Sequence, residues 1–213
     1  MNLTLHTSAR AAAPYRVRIA LNLKGIDYAP APVNLVASEQ HKAPYRALNA
    51  QKLLPTLEGA GDPMTQSLAI IEWLEETHPE PPLLPAAPRD RATVRAMAEI
   101  VACDIHPLNN LRVMRALEAM GVSNDARQTW AKRWINDGFN ALEPMVARHG
   151  AGWAFGDQPG MADCCLIPQV ANSQRFDVDL SPYPHIAAIW ETSKAHPAFN
   201  AAAYEQQPDF VAS

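Results

Sequence analysis

Cysteine is scarce in this chain. The three present, Cys103, Cys164 and Cys165, form no C-x-x-C pair, which leaves no dithiol motif for redox or metal chemistry. Cys164 and Cys165, being adjacent, are badly placed to bridge each other. This usage fits a reducing cytoplasm. Long apolar runs are missing as well. No segment approaches the ~20 residues a membrane-spanning helix needs, and the N-terminal MNLTLHTSAR lacks the apolar core of a signal peptide. An excess of positive charge is absent too: 18 Lys+Arg stand against 22 Asp+Glu, a net charge of −4. That argues against nucleic acid or an anionic membrane surface as the main partner, so an anionic ligand has to be met by locally placed cations. No internal repeat or low-complexity segment interrupts the chain.

What is present is enough apolar material for a core, 48% of 213 residues, in one large or two modest domains. Leu3, Leu5 and Thr7 alternate with Thr4 and His6 as in a short strand. Residues 8–13 then read as a loop around Arg10. Pro14 opens a helix with Val17, Ala20 and Leu21 on one face, and Gly25 suits the position past its end. The next strand, 28–35, carries Pro30 and Pro32 two residues apart, so their missing donors fall on one side and the strand belongs at a sheet edge. Residues 40–48 suggest a short helix. Pro79, Pro81, Pro82, Pro85 and Pro88 crowd into ten residues, a density that reads as a stiff linker over 79–88 between a first domain, 1–78, and a second, 89–213.

Beyond the linker the periodicity is helical, with Val94, Met97, Val101 and Leu108 in one segment and Trp130, Trp134, Leu142 and Met145 in another. Gly121 and Gly150 are the stops, and Pro107 is a kink. Trp130 and Trp134 are expected in the core. In GDQPGMADCCLIPQV, 156–170, a helix starts at Gly160 with Asp163 placed to serve its open N–H groups.

The stretch 53–76, LLPTLEGAGDPMTQSLAIIEWLEE, organises the first domain. Pro55 cannot donate to a ladder, so it marks a bend or a cis peptide and frees the edge at Leu54. A hairpin follows, turning at Gly59-Ala60-Gly61-Asp62. Ser67 is expected as the N-cap of a helix over 68–77, whose free N–H groups make an anion site. Read physically, these parts form either an ordinary hairpin with a capped helix, or a dock for an extended peptide bearing a free carboxylate. This stretch, together with RVRIALNLKGIDY at 16–28, resembles the glutathione transferases, and most of all their zeta class, the maleylacetoacetate and maleylpyruvate isomerases. The similarity extends over nearly the whole chain.

The resemblance implies an α/β thioredoxin-like N-terminal domain, an all-α C-terminal domain and a homodimer. It also implies glutathione as cofactor, with Pro55 cis and Gln66 and Ser67 holding the γ-glutamyl carboxylate. Gln40 and Gln51 would meet its glycyl end. His106 and Asn110, four apart on one helical face, would reach it from the second domain. Arg10, Arg112 and Arg175 match three arginines that bind the dicarboxylate substrate, and arginine suits a carboxylate because its planar fork gives two parallel hydrogen bonds. No metal site is expected.

The zeta class carries a Ser-Ser-Cys-Ser motif, or Ser-Gly-Thr-Ser in bacterial relatives, directly before Arg-Val-Arg. Here Ala11, Ala12, Ala13 and Pro14 stand there, so every thiolate-stabilising hydroxyl and thiol is gone. Arg10 and the start of the following helix remain to favour a thiolate. Strand alternation sends Ser8 into the sheet. The resulting expectation is a glutathione-dependent cis–trans isomerase of a maleyl-type dicarboxylate. The alternative is a glutathione-binding relative with conjugating or little activity.

Overall fold

Leu3, Leu5 and Thr7 point into the core and Thr4 and His6 are half exposed, which sets β1, Leu3–Thr7. The chain turns through Ser8–Ala11 into α1, Ala12–Leu23, and returns as β2, Tyr28–Pro32, parallel to β1. This is a computed structural model that describes residues 2–211. A 3-10 turn at Glu39–His41 and the short α2, Ala43–Leu48, lead to β3, Thr56–Glu58, which pairs antiparallel with β1 and with β4, Met64–Thr65. The sheet order is β2-β1-β3-β4. It puts the proline strand at the edge, where Pro30 and Pro32 cost no ladder bond. Helix α3, Ser67–Thr77, completes the thioredoxin-like arrangement and packs against α1.

Two elements differ in extent from the sequence expectation. β2 ends at Pro32, after which a single bond from Val33 N to Thr7 O continues the pairing. α1 begins at Ala12, because alanine is the best helix former and Ala11 already serves as the extended N-cap.

The chain divides into two compact units. One comprises the residues up to Leu83 together with those from Lys194 onward, and the other is Leu84–Ser193. The sequence reading placed 89–213 in one helical domain. The final segment instead joins the first unit, because α10, Pro197–Ala202, packs on α1. Asn22 Nδ2 donates to Ala198 O at 2.9 Å and Arg18 Nε to Ala202 O at 3.0 Å. The proline-rich segment is held to the first unit by Lys24, whose Nζ donates to Glu75 Oε2 (2.9 Å), His78 O (2.6 Å) and Pro81 O (3.0 Å). Pro88 lies outside that linker: it is the first residue of α4, where its missing N–H costs nothing.

The second unit is helical. α4, Pro88–Glu99, passes into a π turn, Ile100–Ile105, then α5, His106–Asn109, and α6, Leu111–Ala119. Pro107 marks this break, since its ring and absent N–H are incompatible with a continuous ladder. α7, Asn124–His149, buries Ala131, Ile135, Gly138, Phe139, Leu142 and Val146. Trp130 and Trp134 are therefore only half buried, a correction to the expected core face. Ile105 lies against this helix, its side chain occupying the space a Cβ at Gly138 would take. Trp130 Nε1 donates to Leu108 O at 2.8 Å, and its ring meets Trp134 edge-on.

α8, Met161–Gln174, and α9, Pro184–Ala195, complete the unit. As expected, Gly160 is the N-cap of α8 and Asp163 serves it, accepting from Gly160 N at 2.9 Å and from Ala154 N at 2.8 Å. Full burial outweighs these bonds and pushes the carboxyl up to about 7. Between about pH 4 and 7 the unfolded chain has lost this proton and the folded protein keeps it. Stability contributed here is thus full at the acid end and falls as pH rises towards 7. Denaturant midpoints of wild type and Asp163→Asn across that range should show the slope in the former and its loss in the latter.

Candidate functional site

The site in the first unit is built around Leu54 and Pro55, joined by a cis peptide as expected. The approach to that bond is fixed from behind: Tyr45 Oη donates to Leu53 O at 2.6 Å and Asn49 Nδ2 to the same oxygen at 2.8 Å. Among the described residues, the peptide groups of Leu54 make no hydrogen bond, which leaves an edge to which an extended peptide can pair. Across from it the hairpin delivers Gln66 and Ser67. Ser67 is the first residue of α3 and Gln66 takes the N-cap position, one residue earlier than expected.

The reason is tertiary. The Ser67 hydroxyl accepts from Arg16 Nη1 at 3.2 Å, so it is turned to α1 and does not cap its own helix. Gln66 adopts φ 69, ψ 116, a region costly to an L-residue by about 1 to 3 kcal/mol. Such strain is characteristic of sites where geometry matters more than stability. Gln66 Nε2 donates to Gln51 Oε1 at 2.8 Å, so two of the expected ligand residues are already joined. Gln40 is buried in the 3-10 turn, and its Oε1 finds no hydrogen-bond partner. The open edge at Leu54, the polar pair Gln51 and Gln66, and the N–H groups at the start of α3 fit an extended peptide carrying carboxylates.

Arg10 sits in the turn between β1 and α1, exposed, with Nη2 donating to Val211 O at 3.1 Å and its guanidinium 5.3 Å from the centroid of Phe210. Arg18 holds the turn from beneath: Nη1 donates to Thr7 Oγ1 at 2.8 Å and Nη2 to Ala9 O at 3.0 Å. Burial lowers its pKa to about 10, so it stays charged at neutral pH. Tyr15 lies under Arg18, and burial raises its phenol well above the usual range, which leaves it neutral. Ser8 continues the half-exposed face of β1 after Thr4 and His6, so it is not sent into the sheet as the alternation argument had it.

Within the second unit, His106 and Asn110 are not on one regular helical face. His106 begins α5, whereas Asn110 is extended and caps α6, its Oδ1 accepting from Arg112 N at 3.1 Å. The chain turns at Asn110 itself, φ −67, ψ 146, so the two residues belong to different helices. Arg112 and Arg175 are both exposed, Arg112 in the first turn of α6 and Arg175 at the C-cap of α8. Their segments are tied by Asn172 Nδ2, which donates to Asn109 Oδ1 at 3.0 Å. Each arginine follows its member of that pair by three residues, so one bond brings the two arginine-bearing segments together. Among the described residues no cluster of His, Cys, Asp or Glu could hold a metal ion, and no helix is long and apolar enough to cross a membrane.

The profile of the glutathione S-transferase N-terminal domain matches residues 9–82. A maleylpyruvate isomerase from Ralstonia sp is 44% identical over 97% of this chain and 99% of its own. A solved structure, the holo form of a maleylpyruvate isomerase described as a bacterial zeta-class glutathione S-transferase, superposes with a TM-score of 0.95 at 44% identity over 98% of this chain and 100% of that one. The chain belongs to the zeta class of the glutathione S-transferase family. A maleylacetoacetate isomerase from Anaeromyxobacter dehalogenans, solved with glutathione in its active site, superposes with a TM-score of 0.89 at 40% identity over 98% of this chain and 97% of that one.

Within this zeta-class chain, three supporting residues escaped the sequence reading. Arg16 and Arg18 entered the sequence reading only as part of the family resemblance, yet both are buried. Asn109 gave no local signal. Two arginines spaced two apart on a largely apolar helix are the signal that could have found Arg16 and Arg18. Ser67→Ala and Gln66→Ala should each weaken glutathione binding by about 1 to 3 kcal/mol, the range for a lost charge-assisted bond. Calorimetric titration measures this, and wild-type affinity in both variants would displace the carboxylate site from the start of α3.

Proposed function

We propose that this zeta-class chain is a glutathione-dependent cis–trans isomerase acting on a maleyl-type dicarboxylate, maleylpyruvate or maleylacetoacetate. The observation that carries the reading is the match to the Ralstonia maleylpyruvate isomerase along almost the full length of both chains. The bonded set Gln51, Gln66, Ser67 and Arg16 beside the cis Leu54-Pro55 peptide supports it independently. Glutathione, when bound, supplies a thiolate able to add to the double bond and leave again, so that the bond is single while it rotates and nothing is consumed.

The chain's own residues do the rest. Gln66, Ser67 and the N–H groups of α3 hold the γ-glutamyl carboxylate, Leu54 pairs with the peptide backbone, and Gln40 and Gln51 meet the glycyl end. His106 and Asn110 are assigned to the same ligand. Arg10 and the first N–H groups of α1 supply positive potential to the sulfur, the part a hydroxyl plays elsewhere in the class. Arg10, Arg112 and Arg175 hold and orient the substrate's carboxylates. Pairing of two copies about a closed two-fold axis, the commonest oligomer, belongs to the same proposal, as does a cytoplasmic setting consistent with Cys103, Cys164 and Cys165 forming no disulfide.

The decisive measurement is the decay of maleylpyruvate absorbance with and without glutathione. Glutathione-dependent decay faster than the buffer-plus-glutathione control is expected. A rate equal to that control would leave a binding protein. Restoring a hydroxyl with Ala11→Ser, at the N-cap of α1, should lower the bound thiol's pKa and raise the rate near neutral pH, as an ultraviolet titration of the thiolate reads directly.

A further inference from the structure

We propose that the C-terminal segment Pro208–Val211 positions Arg10, with Asp209 and Phe210 as its two working side chains. This rests on the assignment of Arg10 to the substrate's carboxylate. Asp209 Oδ2 accepts from Ala9 N at 2.9 Å, across 200 residues of sequence, and so fixes the peptide immediately before Arg10. Phe210 lies against the guanidinium, 5.3 Å from centroid to carbon, and Val211 O accepts from Arg10 Nη2 at 3.1 Å. Peptide, guanidinium face and one in-plane donor of the same arginine are thus all held by three successive residues of the tail.

The tail is itself anchored. Tyr204 packs against Phe210 with ring centroids 5.8 Å apart. Gln207 is buried, its Nε2 donating to Ala201 O at 3.1 Å and Ala203 O at 2.9 Å. Arg18 links Ala9 O to Ala202 O at the end of α10, so the turn and the helix that leads into the tail share a buried cation, and the Asp209 carboxylate faces that charge. A surface arginine on an open turn would sample many rotamers, and a carboxylate binding it would have to order both turn and side chain. Contact through the flat face of the guanidinium restrains the side chain while its N–H donors stay in the plane where they bond oxygen, as the Val211 bond does. In this chain the device has a further consequence. With Ala11, Ala12 and Ala13 in place of hydroxyl and thiol groups, Arg10 is the side chain left to supply charge near the sulfur, so its placement bears on both of its roles.

The test is a double-mutant cycle on the full-length protein. Affinity for malonate, an inert diacid, is measured by calorimetry at saturating glutathione, together with KM and kcat for maleylpyruvate and the affinity for glutathione itself. Phe210→Ala and Asp209→Ala should each weaken malonate binding and raise KM by roughly two- to tenfold, with glutathione affinity unchanged. Phe210→Tyr, which keeps the ring, should stay within about twofold of wild type. In an Arg10→Met background Phe210→Ala should add no further loss, because its effect passes through Arg10. Tighter or unaltered malonate binding in Phe210→Ala, an equal loss with and without Arg10, or no effect of Arg10→Met alone would overturn the proposal. Absence of turnover in wild type, with Arg10- and Phe210-dependent malonate binding intact, would remove the isomerase reading and still support the tail's role.

Discussion

Arg112→Met and Arg175→Met should each lower kcat/KM for maleylpyruvate by roughly ten- to a thousandfold while leaving the affinity for glutathione nearly unchanged. Both side chains are exposed on the second unit, so their removal should leave folding within about 0.5 kcal/mol of wild type. The loss would then belong to substrate binding and orientation. Arginine presents two parallel donors to a carboxylate, and methionine keeps the length of the side chain without the charge. Arg112→Lys should recover only part of the rate, because an ammonium is a point charge and lacks the fork. Steady-state kinetics with maleylpyruvate at saturating glutathione decide this. Wild-type kcat/KM in both methionine variants would remove the two arginines from the substrate site. Because their segments are joined through Asn172 and Asn109, Asn172→Ala should lower kcat/KM in the same sense by a smaller factor.

Lys24→Met should destabilise the protein by about 3 to 5 kcal/mol, the usual cost of stranding one member of a buried ion pair. The ammonium has no exposed surface, and it satisfies the Glu75 carboxylate and the carbonyls of His78 and Pro81 together. Glu75 Oε2 also accepts from Leu83 N at 2.8 Å, so one cluster ties α1, α3 and the proline-rich segment. For a chain of this length the change corresponds to a fall in Tm of roughly 6 to 20 °C. The double variant Lys24→Met/Glu75→Gln should recover part of the loss, since the stranded charge is then removed with its partner. Thermal unfolding followed by circular dichroism measures both. Equal melting of Lys24→Met and wild type would mean that the cluster contributes nothing net.

The strand β1, the helix α1 with Gly25 past its end, the edge position of the Pro30 and Pro32 strand, a bend or cis bond at Pro55 and the Asp163 cap at Gly160 were legible in the sequence, because each is settled by neighbours within a few residues; that the Pro55 bond is cis came from the family resemblance. Alternation, a missing N–H and a short side chain at a helix start act locally, and no distant contact has to be known. The expectation for Gln66 and Ser67, and the loss of the class's hydroxyls at Ala11, Ala12 and Ala13, came instead from the family resemblance.

What the tertiary structure alone decided involves partners far apart in the chain. Ser67 became the first helical residue because a buried arginine on α1 takes its hydroxyl. α7 buries the face of Ala131, Ile135, Gly138 and Phe139, where Ile105 packs beside Gly138, and so leaves its tryptophans half out of the core. Residues 197–211 returned to the first unit and reached Arg10 because Arg18 and Asp209 found donors and acceptors there. A buried charge is tolerable only where packing happens to bring acceptors to it, and periodicity in a sequence carries no record of which distant carbonyl that will be.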